Sequence, residues 1–232
     1  MWSVELDDWQ KEASNALADP TRGFVTIRAG SGVGKSWLLA RLVIWFLATR
    51  KGKVPCTAPT EHQLFDVLWS ELRKCYDASP VIQSIFVWTQ TKFFVRGHVA
   101  TWYAVARTST KNAAKSKDGH VQEGMQGFHD DNMFIIIDEA SGVADAAIAA
   151  FDGALTADNA IICMTGNPTR TTGRFYTSHM QSRIDQGGPW YSIAVDCRNS
   201  KYVGNKYIKN MLLEHGEDSP IFLSKVAGEF PM

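Results

Sequence analysis

Apolar positions in this chain fall into two patterns, helical spacing and short unbroken apolar blocks, and the two alternate from one end to the other. Leu6 to Ala18 has apolar residues on one helical face and stops near Asp19-Pro20, which predicts an amphipathic helix. Phe24 to Arg28 predicts a short strand, Ala29 to Gly34 a glycine-rich turn, and Lys35 to Thr49 a helix apolar enough to be buried on most sides, stopped by Gly52. A strand at Val54 to Ala58 and a helix at Glu61 to Cys75 follow. Ser84 to Val87, Lys92 to Arg96 and Val99 to Ala106 are β-type runs, and residues 108–131 read as a polar loop. Met133 to Asp138 predicts a buried strand leading into an alanine-rich helix that reaches about Leu155. Ala160 to Thr165 predicts another strand. Helices are expected near Phe175 to Ile184 and Tyr207 to Leu213, with a strand at Trp190 to Val195 between them.

Unbroken apolar strands alternating with helices predict an α/β fold whose mostly parallel sheet is covered on both faces. Right-handed crossovers then put the loops at the strands' carboxyl ends along one edge, where ligands bind. No repeat or low-complexity tract interrupts the pattern.

Composition narrows the picture only slightly. The 232 residues suffice for one large domain, with 45% hydrophobic and 21% charged residues. Lys plus Arg equals Asp plus Glu, so bulk charge does not hold nucleic acid, although a local basic surface or a ring could. Cys56, Cys75, Cys163 and Cys197 are scattered without zinc spacing and fit a reducing cytoplasm. No signal peptide opens the sequence, and the longest apolar stretch, Trp37 to Ala48, is interrupted by Arg41 and too short for a bilayer.

Chemistry gathers at three predicted strand tips. Ala29-Gly30-Ser31-Gly32-Val33-Gly34-Lys35-Ser36 follows a strand and opens a helix, fitting the Walker A pattern with Ala at the first Gly. Glycines let backbone N–H groups turn toward phosphate oxygens, and the helix N-terminus adds a favourable dipole. Lys35 would reach the β- and γ-phosphates of ATP, and Ser36 would ligate Mg²⁺. Ile137-Asp138-Glu139 ends an apolar strand in two carboxylates. Asp138 would support the Mg²⁺ shell, and Glu139 would act as general base on water, which favours hydrolysis over transfer to a substrate hydroxyl. Thr165-Gly166-Asn167, at the third tip, would sense the γ-phosphate and couple it to movement, or would be a turn chosen for backbone geometry.

These blocks occur in order with Trp9-Gln10, Gln126-Gly127-Phe128-His129, Gly173-Arg174-Phe175-Tyr176 and Gly228-Glu229-Phe230-Pro231. Taken together, the series resembles the large terminase subunit of tailed bacteriophages and prophages. The resemblance implies an additional-strand P-loop ATPase fold, related to helicases and recombinases. It implies a motor that moves double-stranded DNA into a procapsid, with a portal protein and a small terminase subunit as partners. A homo-oligomeric ring, generally a pentamer, would form on the capsid, with a monomer in solution as the other state, in the host cytoplasm and without a membrane. By the same resemblance Gln10 would read adenine and Thr165 to Asn167 would be the coupling motif. The resemblance also implies an ATPase domain at 1–200 and a lid or linker segment at 201–232; the nuclease domain that the family carries is expected to be absent from this chain, which alone would then not cut DNA.

The phosphate loop departs from many terminases in holding no Arg at positions 29–34. Arg28 lies just outside it and is a candidate catalytic residue, while Arg107, Arg170 and Arg174 are candidates for an arginine supplied by a neighbouring subunit. Lys111, Lys115 and Lys117 with Arg107 would track DNA phosphates or simply solvate a loop. His120 and His129 lack partners for a metal site, and Trp88 and Trp102 are expected in the core or an interface. Two other readings stay open: a helicase-like or DNA-remodelling ATPase, and a nucleotide-binding assembly module with little turnover.

Overall fold

The computed structural model describes residues 5–108 and 128–231. Gln126, Gly127, Lys111, Lys115, Lys117 and His120 lie outside the described residues. The chain divides into two compact units, one holding the residues up to Lys35 and from Thr165 onward, the other Ser36–Met164.

The first unit is built on α1 (Asp8–Ala18) and the strand β1 (Phe24–Ala29). β1 pairs in parallel with β8 (Trp190–Val195), from Phe24 opposite Trp190 to Ala29 opposite Val195. Ala13, Ala16 and Leu17 of α1 are buried, which follows from the spacing that predicted the helix. On the chain before β8 lies α6 (Arg174–Met180), and after β8 comes α7 (Asn205–His215). The segment that follows is a helical turn at Pro220–Phe222 and a π-helical turn at Leu223–Ala227, ended by Gly228 in the left-handed region, φ 66°.

The second unit carries most of α2 (Lys35–Thr49), whose Leu38, Leu39, Leu42, Val43, Phe46 and Leu47 are buried. Its strands are β2 (Lys53–Thr57), β3 (Phe86–Trp88), β4 (Lys92–Val95), β5 (Tyr103–Ala106), β6 (Asn132–Ile137) and β7 (Asn159–Gly166), the last two residues of β7 belonging to the first unit. They lie in the order β3-β4-β5-β2-β6-β7. β2 pairs in parallel with β5 and β6, and β6 with β7, whereas β4 is antiparallel to both its neighbours. β6 is buried from Met133 to Ile137, as an apolar block in the middle of a parallel sheet must be.

The structure corrects four sequence expectations. Ser84 and Ile85 belong to a helix, α4 (Pro80–Ile85), not a strand: the Ser79 hydroxyl caps the Ile82 N–H, and Pro80 at the first helical position starts the turn. The run Val99 to Ala106 is strand only from Tyr103, because the chain first turns at Gly97 (φ 83°) and again where the Thr101 and Trp102 N–H groups bond the His98 carbonyl. The alanine-rich helix after Asp138 breaks into 3₁₀ turns at Ala140–Gly142 and Asp152–Thr156 around the short α5 (Asp145–Ala149). Gly142 lies so close to Pro59 that a β-carbon there would overlap the proline ring, so packing overrides helix propensity. α6 ends at Met180 because the chain then pairs back, the Trp190 N–H bonding the Ser182 carbonyl at 3.0 Å.

The helical segment after β2 is π-helical over Gln63–Trp69 before α3 (Ser70–Asp77). Its Trp69 faces Trp88 at 5.4 Å between ring centres, and Trp88 also contacts Tyr76 and Phe93, which places this indole in an internal aromatic cluster. The Trp102 indole N–H donates to the Leu47 carbonyl at 2.9 Å. All four cysteines are buried thiols. Among the described residues no helix is long and apolar enough to cross a membrane.

Candidate functional site

β1 ends at Ala29, and the chain turns through Gly30 to Gly34 before α2 begins at Lys35. Gly32 and Gly34 have φ of 80° and 92°, values a β-carbon would strain, so the turn requires glycine there. The Lys35 ammonium folds back over this turn, buried, and donates to the Gly30 carbonyl at 3.2 Å. The loop is itself anchored: the Gly30 N–H bonds the Val195 carbonyl at 3.0 Å and the Ser31 N–H the Lys225 carbonyl at 2.8 Å. Asn167, past the end of β7, donates its amide to the Ala29 carbonyl at 2.7 Å and reaches Ser31 Oγ and the Ser224 carbonyl at 3.4 Å. Thr165 and Gly166 lead into it, buried within β7.

The next residue along α2, Ser36, belongs to the second unit with the acidic pair. Its hydroxyl donates to Asp138 Oδ2 at 2.6 Å. Asp138 is 2% exposed, its other oxygen accepts the Glu139 N–H at 3.0 Å, and its own N–H bonds the Thr57 carbonyl of β2. Burial, and after it the Asp138 charge, pushes the Cys56 and Cys163 thiols up, keeping both protonated. Glu139 is half-buried and takes a left-handed backbone, φ 49° and ψ 44°, the sole non-glycine residue with positive φ among the described residues. That conformation costs an ordinary side chain about 1 kcal/mol, and such strain collects at functional sites.

A serine hydroxyl beside one carboxylate is a hard-oxygen pair suited to Mg²⁺, which keeps several waters and needs few protein ligands. Among the described residues no group of three or more His, Cys, Asp or Glu comes together.

The remaining candidates are distributed more widely. Gln10 is fully buried in α1; its Oε1 accepts the Asp7 N–H at 3.0 Å, and its Nε2 has no hydrogen-bond partner among the described residues. Beside it, Trp9 joins Glu5, Asp7, Lys11, Asp196 and Lys201 in lining a cleft of about 360 Å³. Arg28 Nη1 donates to the Gly228 carbonyl at 2.6 Å, and burial foremost lowers its pKa. Arg107 is exposed just past β5, its N–H bonded to the Cys56 carbonyl. Arg170 is exposed, and Arg174 opens α6.

With this geometry in hand, the chain can be set beside known proteins. No family model matches it. A probable terminase large subunit of Enterobacteria phage P7 is 29% identical over 96% of the chain. Among solved structures, the large terminase of a thermophilic bacteriophage superposes with a TM-score of 0.71 at 12% identity, over 98% of this chain and 54% of that one. The large terminase ATPase domain of Thermus phage P74-26 superposes with a TM-score of 0.69 at 12% identity, over 94% of this chain and 92% of that one.

The fold is that of a large terminase ATPase domain. The chain spans 45% of the length of the phage P7 relative.

Two features of this terminase fold had no signature in the sequence. The left-handed backbone of Glu139 is one, since glutamate gives no hint of it. The other is the Lys225 carbonyl under the phosphate loop, because a backbone acceptor carries no residue type to read.

Proposed function

We propose that this chain is the ATP-hydrolysing motor domain of a viral terminase and drives double-stranded DNA into a procapsid. The observation that carries the reading is the Ser36–Asp138 hydrogen bond, which ties the acidic pair to the residue that follows Lys35 in the chain. The terminase fold supports it further, and the large terminase of the thermophilic bacteriophage has been solved in complex with ADP and with ATP-gamma-S.

In this reading the loop from Ala29 to Gly34 cradles the ATP phosphates through the N–H groups of Gly32 to Gly34, while those of Gly30 and Ser31 stay on the Val195 and Lys225 carbonyls, and Lys35 neutralises the β- and γ-phosphates. Ser36 and Asp138 hold Mg²⁺, whose charge offsets that of the triphosphate. Glu139 takes the proton of the attacking water as general base. Gln10 reads the adenine through the Nε2 that has no partner within the described residues. Thr165 to Asn167 couples the site to movement, with the Asn167 amide already on the Ala29 carbonyl. The contact of Arg28 with Gly228 favours a bracing role for it, leaving Arg107, Arg170 and Arg174 as the candidate arginines for a neighbouring subunit in a homo-oligomeric ring. A portal protein and a small terminase subunit complete the assembly in the host cytoplasm.

The test is ATP turnover by the purified chain with and without double-stranded DNA. Turnover that DNA or self-assembly raises, and that Glu139→Ala abolishes while nucleotide binding persists, supports the reading. Normal hydrolysis by Glu139→Ala would remove Glu139 from its role.

A further inference from the structure

Cys197 sits in a short 3₁₀ turn, Cys197–Asn199, after β8 and is fully buried. Its Sγ donates to the Ser31 carbonyl at 3.1 Å and approaches the Lys225 carbonyl at 3.4 Å. Burial foremost raises its pKa to about 11, so the thiol carries its hydrogen at neutral pH. Three further contacts close the same joint. The Ser31 N–H bonds the Lys225 carbonyl, so Ser31 is held on both its backbone groups. Gly30 has no room for a β-carbon, which would overlap Cys197 Sγ and the Lys225 and Val226 carbonyls. Gly228, left-handed at the end of the Leu223–Ala227 turn, lies against the Val195 carbonyl and the Gly30 N–H in the same way. The thiol is therefore a side-chain donor wedged between the phosphate loop and the C-terminal turn, where an ordinary core cysteine would meet apolar side chains.

We propose that Cys197 is a positioning residue of the nucleotide site, which fixes the Gly30–Ser31 backbone against the Leu223–Ala227 turn by donating to the Ser31 carbonyl. It touches neither phosphate nor metal and acts through the loop. An S–H donor is weak, yet its removal takes a partner from a half-buried carbonyl and leaves a gap where Gly30 is braced. The consequence is a loop whose N–H groups are less preorganised for phosphate, so affinity for nucleotide falls while the chemical step is spared. The nucleotide part of this inference rests on the proposed ATPase reading; the loop part does not.

The experiment compares Cys197→Ala and Cys197→Ser with the unsubstituted chain in two measurements. Amide hydrogen exchange without nucleotide reads the loop: exchange at residues 30–34 should quicken several-fold in Cys197→Ala and return toward the original rate in Cys197→Ser, which restores a donor at similar volume. Titration with a fluorescent ATP analogue and steady-state kinetics read the site. The apparent KM should rise about three- to tenfold in Cys197→Ala, on the scale of one weak hydrogen bond, with kcat changed less than about twofold. Unchanged loop exchange in Cys197→Ala, or identical behaviour of the Ala and Ser variants, overturns the proposal and leaves a packing cysteine. Loop loosening that Ser rescues, in a chain that binds no nucleotide at all, upholds the positioning role and overturns the ATPase reading instead.

Discussion

Ser36 and Asp138 are 102 positions apart in sequence, yet the serine hydroxyl donates to the carboxylate at 2.6 Å. Asp138 is almost fully buried, so this contact is part of how the charge is tolerated as well as part of the candidate metal site. Ser36→Ala should therefore cost stability, about 1–3 kcal/mol in urea unfolding, because it takes a donor from a buried carboxylate. It should also weaken Mg²⁺-dependent nucleotide binding, which titrations with and without the cation would show. The same gain in affinity from the cation in Ser36→Ala as in the unsubstituted chain would separate Ser36 from the metal.

Glu139 presents the opposite balance. Its left-handed backbone is costly for glutamate and free for glycine. Glu139→Gly is expected to stabilise the fold by up to about 1 kcal/mol while hydrolysis falls on the order of 10²-fold or more. Denaturant midpoints and turnover measured on the same preparation would reveal the trade. A destabilised Glu139→Gly would mean that the side chain repays its strain through contacts of its own.

His179 sets an acid limit. Its ring nitrogens bond Thr26 Oγ1 at 2.9 Å and Ser192 Oγ at 2.6 Å, and Phe175 and Phe230 pack edge-on against it. Burial foremost, with Arg28 and Arg183 adding repulsion, pushes its pKa down to about 3 from 6.5. The unfolded chain therefore binds a proton that the folded chain refuses. Stability from this residue is complete above about pH 6.5 and is lost as pH falls toward 3, with a slope approaching about 1.4 kcal/mol per pH unit. Unfolding midpoints at about pH 7, 6 and 5 should decline in the unsubstituted chain and flatten in His179→Gln.

Two glycines offer a direct contrast. Gly30 has sulfur and two carbonyls where a β-carbon would go, whereas nothing lies within 4 Å of that position at Gly204, whose φ is −73°. Gly30→Ala should destabilise by about 1–3 kcal/mol and disturb the phosphate loop. Gly204→Ala should change stability by less than about 1 kcal/mol, since the narrower unfolded ensemble offsets the loss of a glycine N-cap on α7. Thermal unfolding of the pair decides the matter.

Much of this fold was legible in the chain. Lys35–Thr49 and Trp190–Val195 form as the apolar pattern predicts, because a segment buried on most sides must be apolar throughout and its limits are marked by Gly and polar residues. β6 and β7 were equally plain, since buried parallel strands admit almost no polar side chain before their tips. The same rule marked the tips themselves, where Asp138 and Thr165 interrupt apolar runs. Legibility failed where packing overrode propensity: Gly142 against Pro59 broke an alanine-rich helix, and the turn before Tyr103 shortened a β-rich run.

The sequence by itself determined the α/β alternation, the glycine turn before Lys35 and the carboxylates that end β6. These depend on periodicity, backbone freedom and the cost of burying charge, all of which act locally. Only the tertiary structure decided that Ser36 meets Asp138, that Arg28 reaches Gly228 and that Cys197 lies beneath Ser31. Those pairings join residues far apart along the chain, and two of them run to backbone carbonyls. A carbonyl is the same in every residue, so its place in space emerges only when the chain has folded around it.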